Sequence, residues 1–438
     1  MDAQMYKLKY YLQNILNKNV FLITYLLSKI QSITFANILH QRFMSLLIKK
    51  TNSIYTTQFW LLCLSNFLFS ASFQMIIPEL PDYLAGMGGK EYIGYIIFLF
   101  TIAAGVSRPF SGKLSDTIGR MPVMIFGSLV CFVCGGLYPF LGSIGFFLFL
   151  RFIHGFSTGT KPTATAAYVA DIIPENRRGE AQGVLGIFTA TGMSIGPSIG
   201  SLMTEWFDIY VLFYSSSVVA LLSILILLNM KETLPKEKKQ PFSLKLFKIK
   251  WVDVFEPRVM RVFWMMLLVS FSSGVLLTLV PDQTKMLGIK NKGLFFTIYT
   301  IASVMVRLFF SKVSDKKGRM PVMKISVTML VLAMLTIAVS NDIWGFTIAA
   351  ILFGFSWGFN TPTLTAWTVD LSDPNYRGRA IATMYIALEA GIGLGAYCAG
   401  EIYQGVVERL HISYWLAAFL AFVGLVLLFV FDKKKGLN

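Results

Sequence analysis

Charge is scarce in this chain: Asp, Glu, Lys and Arg make up 14% of it, against roughly a quarter of a soluble globular protein. That shortage excludes an ordinary water-facing surface. Four cysteines, Cys63, Cys131, Cys134 and Cys398, are too few and too scattered for a disulfide framework. Cys131 and Cys134 form a Cys-x-x-Cys, but it sits in an apolar run with no second pair and no nearby His. Its expected role is that of small buried or lipid-facing side chains rather than a metal or redox site. No Gly-x-x-x-x-Gly-Lys-Ser/Thr loop is present, which argues against ATP hydrolysis. No enzymatic residue set and no cofactor site are expected.

What fills the chain instead is apolar: 55% hydrophobic residues, 38 of them Phe. Apolar runs near the length of a bilayer crossing fall at 59–77, 93–109, 123–141, 146–172, 184–203 and 209–228. A second set falls at 262–280, 294–310, 322–339, 343–369, 381–403 and 414–431. The expected fold is an all-α membrane protein with twelve transmembrane helices. The net charge of +16 raises the question of nucleic acid, and its placement answers it. Of 39 Lys and Arg, five (Lys90, Lys285, Lys290, Lys292 and Arg409) lie on one side of the membrane. Another four, Arg108, Arg151, Lys161 and Arg307, lie within or beside spans, and the rest lie on the side that holds both termini. The positive-inside rule makes that side the cytoplasm. The basic charge is thus a topology signal and an attraction to anionic lipid, with no nucleic-acid partner.

An internal repeat sets the organisation. Gly119-Arg120-Met121-Pro122-Val123-Met124 returns as Gly318-Arg319-Met320-Pro321-Val322-Met323, 199 residues later. The same offset maps Arg108 on Arg307, Asp116 on Asp315, Gly155 on Gly354, Gly159 on Gly358 and Asp171 on Asp370. Six spans per copy is an even number, so the copies share one orientation, as in transporters built from parallel repeats. The expected domains are a basic extension at 1–53, six-helix bundles at 54–234 and 258–432, a cytoplasmic linker at 235–257 and a tail at 433–438. Residues 1–53 carry seven basic residues and one acid. They read either as an interfacial amphipathic helix or as a start assigned too early, with Met44 the working first residue.

The loop Gly112-Lys113-Leu114-Ser115-Asp116-Thr117-Ile118-Gly119-Arg120 makes a tight reversal, for which its glycines supply backbone freedom. Asp116 can pair with Arg120 or face the positive end of a neighbouring helix. By repeat symmetry that neighbour is the eleventh helix, at Arg377 and Arg379. Asp315, beside Gly318 and Arg319, would face the fifth helix. The expectation is a cytoplasmic latch between the halves; the alternative is an ordinary hairpin whose charges mark topology. This loop resembles the signature of the major facilitator superfamily, Gly-x-Leu-x-Asp-basic-x-Gly-basic-basic, with Thr117 and Met121 departing from it. The resemblance covers about residues 54–432 and implies that family's fold and a transport function.

Arg151, His154, Thr158, Lys161 and Thr165, spaced 3, 4, 3 and 4, share one face of the fourth helix. A cation at that depth needs a wet space or a partner. Arg151-x-x-His154-Gly155 is similar to the family's Arg-x-x-Gln-Gly, whose Arg the resemblance implicates in proton coupling. His154 either adds a titratable group or replaces Gln as a hydrogen-bonding residue. On the fifth helix, Gly192-x-x-x-Gly196 clears a close-packing face and Pro197 removes a backbone bond. With Gly183 and Gly200 the run matches the family's antiporter motif, and a bent, glycine-lined helix at the seam between halves is expected. Glu389, mid-span on the eleventh helix, is a functional candidate because burial favours its protonated form. Glu79, in Pro78-Glu79-Leu80-Pro81-Asp82, is a further candidate. Pro281-Asp282 echoes that end, and such Pro-rich ends resemble those of the drug:proton antiporters.

These readings lead to a proton-coupled exporter of a drug or small organic metabolite, working by alternating access as a monomer in the cell membrane. Its expected partners are a small-molecule substrate, protons and the lipid bilayer. Two alternatives remain: an uptake symporter or facilitator for a sugar or organic anion, which the basic stripe would suit, and a non-transporting receptor or scaffold.

Overall fold

The structure is a computed structural model. It describes residues 55–435 apart from 175–176, 244–245, 247, 249–253, 311–312 and 374–376. The basic extension, with its interfacial-helix and Met44 readings, lies outside the described residues. Among the described residues there are twelve helices of 17 to 29 residues and no strand. In order they are α1 (Thr57–Met75), α2 (Ile93–Thr117), α3 (Arg120–Leu137), α4 (Ile144–Ile172), α5 (Arg178–Trp206) and α6 (Ile209–Leu228). Then come α7 (Met260–Met286), α8 (Leu294–Phe310), α9 (Arg319–Val339), α10 (Ile343–Leu371), α11 (Arg377–Tyr403) and α12 (Leu410–Lys435).

Helices are what an apolar solvent demands, because each then satisfies its own backbone. By length and apolar composition nine described helices suffice to cross a membrane, and α8 is a shorter apolar one. The remaining two, α4 and α5, are long enough at 29 residues each. They carry the buried cations and the polar, glycine-rich motif. Equivalent caps start equivalent helices: Ser143 accepts from Phe146 N at α4, and Asp342 accepts from Gly345 N at α10. Gly119 and Gly318, which precede α3 and α9, have φ of 126° and 86°, a region that suits glycine.

Packing follows the repeat. In the first half α1 lies on α5 and α6, α2 on α4, and α3 on α4 and α6. In the second half α7 lies on α11 and α12, α8 on α10, and α9 on α10 and α12. The halves meet chiefly where α2 packs on α11 and α8 on α5, two seams that the repeat exchanges. Small residues make these approaches possible. A Cβ at Gly155 would overlap the carbonyl of Phe100, and one at Gly354 the carbonyl of Tyr299, its repeat equivalent. Away from these contacts the surface is apolar: Trp415, Phe419, Phe422, Val426 and Phe429 form an exposed stripe along α12. That pattern suits lipid.

The close α2–α4 approach makes Gly155 intolerant of bulk. Gly155→Val should leave little monodisperse protein on size-exclusion chromatography in detergent. Gly183→Ala should match the parent, because nothing lies within 4 Å of a Cβ at Gly183.

Candidate functional site

The central feature is an ion pair between the halves. Arg108 of α2 donates from Nη2 to Glu389 Oε1 of α11 at 2.5 Å, and the two side chains are 9% and 8% exposed. The Arg108 guanidinium also lies over the ring of Tyr385, 4.6 Å from its centre, one turn from Glu389. Arg108 is nine residues from the loop end of α2 and Glu389 twelve from that of α11, so both sit about 15 Å deep. Removing one partner of a buried pair leaves an uncompensated charge, at a cost of about 3–5 kcal/mol. Sequence reasoning singled out Glu389 but read Arg108 only as a repeat marker.

The stripe on α4 turns inward instead of towards the seam. Arg151 is fully buried; its Nε donates to Ile96 O at 3.0 Å and its Nη1 to Tyr138 Oη at 3.3 Å, and it stacks on Phe100. His154 lies between Tyr138 Oη (3.2 Å) and Cys131 Sγ (3.4 Å), so the first cysteine of the pair packs against an imidazole. Lys161 Nζ donates to Ser65 O, Ser65 Oγ and Ser223 Oγ at 3.1, 2.9 and 2.6 Å. Thr158 bonds back to Gly155 O, and Thr165 contacts Met124 Sδ. None of these contacts involves a carboxylate. The two cations are met by carbonyls, hydroxyls and ring faces of their own half, with Arg151 Nη2 left buried and unpaired.

At the loop face, Arg120 is the hub. It donates to Asp116 Oδ1 and Ser115 O, both at 2.6 Å, and to Asp171 Oδ2 at 3.1 Å. Glu232 covers the start of α3, accepting from Arg120 N and Met121 N. In the second copy Arg319 donates to Asp370 and Ser314; the side chains of Asp315 and Arg377 lie outside the described set. Arg379 pairs with Glu256 at the end of the linker. In this conformation the structure brings Asp116 to Arg120, not to Arg379, and the Asp116 carboxylate is 70% exposed. Sequence reasoning missed Glu232 and Glu256, and it read Asp171 and Asp370 as repeat markers only.

The glycines of the fifth-helix motif do not face the seam. Cβ atoms at Gly192, Gly196 and Gly200 would meet the carbonyls of Phe67, Ala71 and Met75, all in α1 or its last turn. They seat α5 within its own half. The opposite side of α5 meets α8: Ser198 Oγ lies 2.5 Å from Thr297 Oγ1, and a Cβ on Gly293 would overlap Pro197.

The end of the molecule away from the signature loops is tied across the halves. Lys292 Nζ reaches Glu79 Oε2 at 2.6 Å and Asp82 Oδ2 at 2.8 Å, and Lys285 reaches Asp82 at 3.1 Å. Ser201 also donates to Glu79. Burial opposes the Lys292 charge, but Glu79 and Asp82 outweigh it and raise its pKa above the usual lysine value. Since a raised lysine pKa keeps the ammonium charged until pH climbs past that value, the tie holds throughout the neutral range. Rings of Tyr95 and Phe98 meet Tyr397 at 5.5 and 5.1 Å, and Gly94 abuts Gly400. The halves are thus closed at the Glu79 end.

Lys292→Glu should weaken that closure by on the order of 2 kcal/mol, more than a tenfold change in the closed-to-open ratio. Disulfide formation between Ser198→Cys and Thr297→Cys should drop accordingly. It should recover when Glu79→Lys is added; an unchanged yield in the single charge reversal would remove the tie from the gate.

A family model described as Major Facilitator Superfamily matches residues 62–290 and 262–437. The chain is 23% identical over 399 residues to multidrug resistance protein 2 of Bacillus subtilis, across 89% of this chain and 98% of that one. It is 28% identical over 316 residues to the multi-drug resistance efflux pump PmrA of Streptococcus pneumoniae, across 69% and 78% of the two chains. Among solved structures, the human organic anion transporter MFSD10 superposes with a TM-score of 0.68 at 18% identity, covering 85% of this chain and 100% of that one. With both halves matched by the family model and twelve helices arranged as two repeats, the chain belongs to the Major Facilitator Superfamily and is a multi-pass membrane transporter, not an enzyme.

Proposed function

We propose that this transporter is a proton-coupled exporter of drugs or similar small organic molecules. It works as a monomer in a bacterial cell membrane, with both termini in the cytoplasm. The observation that carries the coupling is the Arg108–Glu389 pair. A carboxylate paired with a guanidinium is the proton-free form of the site. A proton on Glu389 removes the charge that holds α2 to α11 and leaves Arg108 with the Tyr385 ring. Protonation and loosening of that seam are therefore one event, as exchange of a proton for substrate requires.

Closure at the Glu79 end and the exposure of Asp116 fit a state open to the cytoplasm, from which a proton has left. Substrate would then enter from the cytoplasm. The names of the relatives as multidrug efflux pumps support the direction, as do the complete fifth-helix motif and the concentration of basic residues beside both termini. Arg151 and Lys161, held inside their own half, act as positioning residues. They hold α4 to α2, and to α1 and α6, while the seams change. The proposed domains remain the six-helix bundles at 54–234 and 258–432, joined by the linker at 235–257.

In inverted vesicles with an acid lumen, added ethidium should alkalinise the lumen as it is taken up. Glu389→Gln should reduce that signal to the level of empty vesicles, and Arg108→Ala should impair it severely. Uptake only into right-side-out vesicles driven by an inward proton gradient would sink the exporter reading. Full coupled exchange by Glu389→Gln would remove the acid from the mechanism.

A further inference from the structure

The repeat that exchanges the halves also exchanges their two seams, and one seam lacks what the other has. At the α2–α11 seam the Arg108 guanidinium is served by the Tyr385 ring and the Glu389 carboxylate. The 199-residue offset puts Arg307 of α8 in the place of Arg108. At the facing positions of α5 it puts Gly186 in the place of Tyr385 and Ala190 in the place of Glu389. The second seam therefore keeps the cation and loses both groups that met it.

The geometry agrees with the alignment. Arg307 points at α5, with its Nη1 3.6 Å from where a Cβ on Gly186 would lie. Apart from α5's own backbone and the chain neighbours, that guanidinium atom is the only described heavy atom within 4 Å of the position, and at Gly183, one turn earlier, no described atom lies within 4 Å. Arg307 has no hydrogen-bond or ion-pair partner among the described residues, and its Nε is buried with none. Arg108 and Arg151 also each bury one guanidinium nitrogen without a partner, but unlike Arg307 both have other polar partners, as does Lys161. A guanidinium held among helices without an acceptor is costly, and a carboxylate from outside would offset that cost through charge-assisted bonds.

We infer that the α5–α8 seam is a substrate subsite for an aromatic carboxylate. Its ring lies over Gly186, where the other seam has Tyr385. Its acid group lies on Arg307 beside Ala190, where the other seam has Glu389. The spacing of the two missing groups, one helical turn, is that of an aryl acid with the carboxylate close to the ring. Lysine would be a poor substitute at 307, since the planar fork of Arg matches a carboxylate in two places. The inference rests on the transport reading only in taking the space between the halves as the substrate's route.

The test is equilibrium binding of 2-naphthoate, with neutral 2-naphthamide as its isostere, to the full chain in lipid nanodiscs with no proton gradient. The parent should bind naphthoate saturably and the amide about tenfold more weakly, the effect of one charge-assisted contact. Arg307→Ala should bring naphthoate down to the amide's level. Ala190→Glu supplies the missing acid from within and should exclude naphthoate; because it adds a partner to Arg307, it decides the matter even if Arg307→Ala misfolds. Equal binding of acid and amide, no saturable naphthoate binding, or unchanged naphthoate affinity in Ala190→Glu would each overturn the subsite. Naphthoate binding through Arg307 without substrate–proton exchange would remove the exporter reading and leave the subsite. Ethidium–proton exchange without naphthoate binding would do the reverse.

Discussion

Arg108 and Glu389 are opposite charges at a depth where neither is stable alone, and the meeting of the two halves is organised around their contact. The pair needs helices close enough for side chains from α2 and α11 to touch. Small residues provide that: a Cβ on Gly105 would lie 3.5 Å from Glu389 Cβ, and one on Gly94 would lie 2.7 Å from Ala396 O. Close approach alone would make a permanent interface. A carboxylate in the contact makes it conditional on the proposed mechanism, in which a proton on Glu389 cancels the charge that holds the seam.

The other buried cations show what a permanent contact looks like. Lys161 is surrounded by Ser65 and Ser223, and Ser223 in turn meets Ser128, so three helices are drawn onto one ammonium. Arg151 is fastened to a backbone carbonyl, which no proton near neutral pH will titrate. Both are dissatisfied if their helices separate, and neither is released by protonation of a carboxylate. These two buried cations of α4 are thus met by neutral groups, whereas the cations that bridge the halves are met by acids, at Glu389 in the middle and at Glu79 and Asp82 at the far end.

Much of this was legible in the sequence, and the failures have physical causes. Twelve spans are visible because each needs its own apolar run, and the repeat is visible because Gly-Arg-Met-Pro-Val-Met recurs. Glu389 stood out because an acid in such a run is expensive. Its partner did not, since Arg108 is 281 residues away and only the seam of two rotated halves brings them together. Spacing places the α4 stripe on one face but cannot say which neighbour that face meets. Serines on α1 and α6 turned it inward. The glycines of α5 mark a close approach, yet the carbonyls of α1 rather than the other half fill the groove. The loop charges were read as a latch, whereas Arg120 finds Asp116 and Asp171 nearer at hand in this conformation.

Two halves that began alike need one difference to do directional work. If both seams carried an Arg–acid pair, both would be satisfied from within the chain, and substrate would have no charge of its own to engage. Here the arginine is kept twice and the acid once. The α2–α11 seam is satisfied from within the chain, while the α5–α8 seam is left with a guanidinium that has no partner among the described residues. A ligand acid arriving at one lowers the positive potential felt at the other. On the proposed mechanism, a filled subsite weakens the repulsion that an unpaired Arg108 would meet, and occupancy of the two seams is thereby linked.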